Sequence, residues 1–353
     1  MTKRVRAPAE KTAVVFGPQV LAIQLALAVT VGVAAGVLHF ISPLRADFGS
    51  FWAAHHVASA YDTAALSRFL HVTHAYFPYP PTFLMLTMPL AWVSVSVGYV
   101  AWCGLSAAAI VASLRRLLAP AVMVFPIVLL SEVNGQTSLI MGACLFAAAT
   151  LERRPILAGA LLGLAACIKP QVVVLAPLVF LAAGQWRVLA SAMVTGLVLC
   201  LAATLVYGVG AWTDWLASLP GFLQVNDAAW TRRYLSLPGA WKIVALAAGA
   251  AAAWWAGRRG RVELGVFIAI AAALLGSLHA MDYDEAIFAP FVLSAALARR
   301  WWGLPYAGAL LLPASPWSVL ALAVLAIVDV FAPPPKVDKV GAEPGAQTVR
   351  PSH

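Results

Sequence analysis

Long apolar runs, broken by short charged or proline-rich turns, set the pattern of this chain. A helix that crosses a bilayer needs about 20 mostly apolar residues. Candidate spans fall at roughly 18–41, 94–114, 118–131, 134–151, 155–169, 170–184, 187–210, 238–257, 262–280 and 284–298. A weaker pair lies at about 301–314 and 317–332. The pattern predicts an all-α polytopic membrane protein of about 10–12 transmembrane helices, some of them short, tilted or re-entrant. Two polar stretches interrupt it. Residues 42–81 are rich in His, Tyr and Phe, and residues 211–237 are amphipathic with Trp212, Trp215 and Trp230. Tryptophans of that kind suit the headgroup region, so these loops are expected to carry amphipathic helices.

Basic residues alternate with the spans. Seventeen of the 23 Lys and Arg fall on every second connection: Lys3, Arg4, Arg6 and Lys11, then Arg115, Arg116, Arg153, Arg154 and Arg187, then Arg258, Arg259, Arg261, Arg299 and Arg300, and last Lys336, Lys339 and Arg350. Cytoplasmic loops collect Lys and Arg. Both termini are therefore expected in the cytoplasm, with loops 42–81 and 211–237 on the outer face. The expected division is a basic N-terminus over 1–17, a membrane domain over 18–332, and a Pro-, Gly- and charge-rich tail over 333–353 expected to be disordered. The first run is longer than the apolar core of a signal peptide and reads as an uncleaved span.

Composition agrees. Hydrophobic residues make up 62% and charged residues 10%, against about 25% charged in soluble domains. The net charge of +9 would point to nucleic acid in a soluble protein; here it is a topology signal, and no nucleic-acid partner is expected. Cys103, Cys144, Cys167 and Cys200 all lie in apolar segments without a CxxC pair, which predicts buried thiols.

With the topology set, the unusual polar residues gather on the outer side. Asp47 follows the first span and leads into Phe48 and Trp52; it reads as a functional carboxylate or as a helix cap. Asn134-Gly135-Gln136 is a site candidate or a plain turn. Lys169 interrupts an apolar stretch, and an ionisable group there is either functional or snorkelling to the interface. Arg232 and Arg233 lie in the second loop. His279, Asp282, Tyr283, Asp284 and Glu285 form the last cluster; the chemistry of His279 with Asp282 and Asp284 could bind metal, but the spacing follows no metal signature. His55-His56 and the His71/His74 pair read as exposed loop histidines. Phe48, Trp52 and Tyr79 are an interface belt or a platform for a sugar ring.

The order Asp47-Phe48, Tyr79-Pro80-Pro81, Asn134-Gly135-Gln136 resembles glycosyltransferase family 87. So do Ala158-Gly159 through Lys169-Pro170 with Trp186-Arg187, and His279 through Asp284. The resemblance covers about residues 20–300. It implies a C-type glycosyltransferase (GT-C) fold, taking sugars from polyprenyl-phosphate carriers on the outer face. The characterised branch transfers mannose to a mannosylated phosphoinositide glycolipid. The family's essential acidic residue after the first span maps onto Asp47. Some GT-C relatives have paired acidic residues there, whereas this chain has a single Asp.

These residues define an expected mechanism. Asp47 is the general base for an acceptor hydroxyl. Lys169, Arg232, Arg233 and His279 are candidates for the donor phosphate. Asn134, Gln136, Tyr283 and Asp284 are candidates for donor binding, and Phe48, Trp52 and Tyr79 for the aromatic platform. One lone carboxylate suits direct displacement with inversion. The expected partners are a polyprenyl-phosphate sugar donor, a lipid or glycan acceptor and the bilayer of a bacterial inner membrane. No cofactor is expected, and nothing in the pattern indicates a divalent metal. The rival reading is a transporter or flippase, which predicts polar groups near the bilayer midplane reached from both sides.

Overall fold

The computed structural model describes residues 47–114, 122–123, 125–230, 235–298, 303–311 and 314–331, with backbone alone at 225–230, 297–298 and 303–304. The expected first span at 18–41, the N-terminus 1–17, the tail 333–353, and Arg232 and Arg233 lie outside them. Among the described residues the chain is helical, without strands. The first polar stretch holds α1 (Asp47–Ala53), α2 (Thr63–Leu70) and the start of α3 (Pro81–Leu86). Next come α4 (Val95–Leu114), α5 (Pro126–Val133) and α6 (Ser138–Thr150). The middle of the chain supplies α7 (Pro155–Ile168), α8 (Pro170–Val173), α9 (Ala176–Ala182), α10 (Trp186–Tyr207) and α11 (Gly210–Trp230). The last part supplies α12 (Trp241–Arg258), α13 (Val262–Gly276), α14 (Ala289–Ala298), α15 (Gly303–Leu310) and α16 (Pro316–Phe331).

Two of these helices, α4 and α10, are each long and apolar enough to cross a membrane. Among the described residues, some of the other expected spans are divided by proline and polar residues. The run 170–184 divides into α8 and α9, and α14 begins only at Ala289, after a 3₁₀ turn over Asp282–Phe288. In α2, Asp62 Oδ1 accepts from Ala64 N and Ala65 N at 3.0 and 2.9 Å, which satisfies donors left open at the helix start. His71 ends it in the left-handed region at φ 53°.

Packing follows the small residues. Gly159 and Gly163 lie four apart on one face of α7 and meet the backbone of α10. A Cβ on Gly163 would lie 2.6 Å from Ala192 O. This close approach is the small-xxx-small seam of membrane helices, and Ser191 Oγ adds a hydrogen bond to Ile156 O at 2.7 Å. The opposite face of α10 is apolar and bare: Met193, Val194, Leu197, Leu201 and Leu205 are exposed, Leu205 by 87%. An apolar face of this extent needs an apolar surrounding, and lipid supplies it. By contrast, α13 is buried over nearly its whole length and packs against α12, α16 and α9. A helix apolar all round belongs in a core.

Candidate active site

The site forms where three turns meet the start of α1. Phe48 N donates to Asn134 O at 3.2 Å, which fastens α1 to the turn after α5. Gly135 takes φ 62°, and a Cβ there would lie 2.6 Å from Phe48 Cβ and 3.0 Å from the Tyr99 ring. Both the conformation and the contact require glycine. With the turn held so close, the Gln136 amide reaches Asp47: Nε2 donates to Asp47 Oδ2. The other end of that amide, Oε1, accepts from the Tyr79 hydroxyl at 3.2 Å. Tyr283 also hydrogen-bonds Asp47 through its side chain.

Lys169 arrives from a break between two helices. The residue before a proline avoids helical geometry, and Lys169 sits at φ −135° and ψ 82° ahead of Pro170. The break releases the Cys167 carbonyl, which accepts from Thr82 Oγ1 at 2.6 Å. Lys169 Nζ pairs with Asp284 Oδ1 at 2.6 Å, both side chains nearly buried. Ser138 Oγ donates to the same oxygen at 2.9 Å, and Met281 N donates to Oδ2 at 3.2 Å. The ammonium lies 5.7 Å from the ring centres of both Tyr79 and Tyr283. One polar network therefore joins Asp47, Gln136, Tyr79, Tyr283, Lys169 and Asp284, residues up to 237 positions apart in sequence.

Asp47 is exposed on one side and crowded by protein on the other. The crowded side pushes its pKa above the ordinary carboxylate value, while hydrogen bonds from Gln136 and Tyr283 and the Lys169 charge pull it back. The open side limits the size of the rise. Burial likewise holds the Tyr79 phenol up, so it stays a neutral donor.

The other described candidates make contacts of their own. The Asn134 amide turns back to Leu130 O at 2.8 Å. Phe48 is fully buried against Tyr99 and Trp102, with ring centres 5.4 and 6.3 Å away. Trp52 Nε1 donates to Val93 O at 2.9 Å, and its ring stacks on His56 at 3.9 Å. His279 packs edge-on against Phe222 at 4.5 Å. Ser138 and Thr82 were not singled out in the sequence; they lie two residues beyond the Asn134–Gln136 turn and two beyond Pro80. Among the described residues no three His, Cys, Asp or Glu cluster as a metal site.

A family model for glycosyltransferase family 87 matches residues 77–281, more than half of the chain. The chain belongs to glycosyltransferase family 87. It is thus a membrane glycosyltransferase, which moves a sugar from a donor to an acceptor. The family match takes in Tyr79, Gln136 and Lys169. Asp47 precedes it, and Tyr283 and Asp284 follow it, yet all six share one network in the folded chain. No curated protein and no solved structure matches this family 87 member.

Proposed function

We propose that this family 87 enzyme transfers a hexose, most simply mannose, from a polyprenyl-phosphate donor to a lipid or glycan acceptor on the outer membrane face. The observation that supports this best is Asp47, open on one side and held on the other by Gln136 and Tyr283, next to a buried Lys169–Asp284 pair. The open side leaves room for an acceptor hydroxyl. Asp47 takes the hydroxyl proton as the oxygen attacks the anomeric carbon. The bond from that carbon to the phosphate oxygen breaks, and its electron pair leaves with the phosphate. A positioned base of this kind contributes about 10²–10⁴ in rate. Attack from the face opposite the phosphate inverts the anomeric centre.

Lys169 and the Tyr79 and Tyr283 hydroxyls share a network with Asp47 and are the candidates to meet the departing phosphate. Lys169 is already paired with Asp284, so its role is to hold local charge balance and orient the tyrosines as much as to meet the phosphate directly. Arg232 and Arg233 remain additional phosphate candidates on sequence grounds. The same reading carries a GT-C fold of ten to twelve spans, a bacterial inner membrane, cytoplasmic termini, and no cofactor.

The test is turnover. Purified full-length protein in nanodiscs receives labelled polyprenyl-phosphate mannose and extracted bacterial lipids. A mannosylated lipid with inverted configuration is the expected product. Retained configuration would remove the single-displacement mechanism, and transfer only from a nucleotide sugar would remove the donor assignment.

A further inference from the structure

A second polar cleft lies beside the site, between the first outer loop and α11, with a volume of about 490 Å³. That falls in the range of small-molecule pockets, about 300–1,000 Å³. Its walls carry Ser59, Tyr61, Asp62, Tyr76, Asp214 and Ser218. Neither Lys, Arg nor His lines it among the described residues. We propose that this cleft is a recognition subsite for the neutral glycan part of the acceptor, away from the sugar that receives the new bond. The inference rests on the transfer reading above and names where its acceptor is held.

Three observations carry it. The lining combines hydroxyls, tyrosine rings and carboxylates, which together hydrogen-bond and stack on a polyhydroxylated ring. Two carboxylates without a cation repel a phosphate, so neither the donor headgroup nor a phosphoinositol suits the cleft, and a neutral glycan does. Asp62 is committed to the α2 cap through Oδ1. Asp214 is exposed and near enough to Tyr61 to add to the upward push that burial, chiefly, and Tyr207 give that phenol.

The cleft also shares a wall with the reaction site. The Tyr61 hydroxyl donates to Tyr79 O at 3.1 Å, and Trp215 Nε1 donates to Pro78 O at 3.1 Å. Segment 76–79 therefore has one side on the cleft and the Tyr79 hydroxyl on the Asp47 network. On the α11 wall Gly221 faces Tyr76, whose ring lies 4.0 Å from where a Cβ would sit, an ordinary contact distance.

The test uses the full chain in nanodiscs and soluble di- and trisaccharides of mannose, glucose, galactose and arabinose, read by saturation-transfer NMR. Wild type binds at least one neutral oligosaccharide saturably. Asp214→Asn weakens that binding about ten-fold, the scale of one hydrogen bond to a charged group. In the transfer assay the same change raises the acceptor KM more than it lowers kcat. Asp47→Asn binds the oligosaccharide like wild type, which separates recognition from chemistry. Saturable binding weakened by Asp214→Asn, in a protein that transfers nothing from polyprenyl-phosphate sugars, keeps the cleft and removes the transfer reading. Absence of saturable binding by wild type, or equal affinity in Asp214→Asn, overturns the cleft assignment.

Discussion

Asp47 answers two opposing demands, since a base must be ionised to accept a proton and crowding favours the neutral acid. Gln136 and Tyr283 pull toward the anion, but crowding is the larger effect and the pKa stays raised. Transfer should therefore rise with pH through an apparent pKa above the ordinary aspartate value of about 3.9. Gln136→Leu removes one of the pulling donors, so the rising limb of kcat/KM against pH should move to higher pH; an unmoved limb contradicts the base assignment. The stability sign is the reverse. A carboxyl with a raised folded-state pKa holds its proton more tightly folded than unfolded, so its contribution is present at low pH and is lost as pH climbs through the folded value. Lys169 and Asp284 form a buried pair, and breaking one partner costs about 3–5 kcal/mol. Lys169→Met should lower the melting temperature in detergent, and Lys169→Met with Asp284→Leu should regain part of it without regaining transfer. Equal melting of the single variant and wild type would show the pair to be unimportant for the fold. Asp47, Lys169 and Asp284 were legible in the sequence because an ionisable residue in an apolar context stands out. Ser138 and Thr82 were not, because a lone hydroxyl carries no sequence signal until its partner's position is known.

At the scale of elements, glycines and prolines place the site. The Lys169-Pro170 break was readable as a helix stop, and it is what delivers the ammonium inward. The Asn134-Gly135-Gln136 turn was readable as a turn, but its contact with Phe48 was not, since Phe48 lies 87 residues before Gly135. The Gly159/Gly163 seam carries its own prediction. Gly163→Val meets the Ala192 backbone of α10, and overpacking of that kind costs about 1–3 kcal/mol. The variant should melt several degrees lower in detergent, while Gly196→Val, in open space on α10, should melt like wild type. Equal melting of the two would contradict the seam.

For the whole molecule, the apolar runs announced a membrane protein, and the bare face of α10 shows where lipid lies. The number of spans was less legible, because proline and polar turns divide runs that hydropathy alone joins. The charge alternation predicts an outer face that carries Asp47 and the second cleft. Ser59→Cys should react with a membrane-impermeant maleimide in intact cells, and Arg258→Cys only after the membrane is opened. The reverse pattern would invert the topology. If Asp47 is the base, single-turnover transfer from polyprenyl-phosphate mannose by Asp47→Asn falls at least a hundred-fold in a variant that inserts and melts like wild type. Wild-type transfer by Asp47→Asn would mean that another group takes the proton.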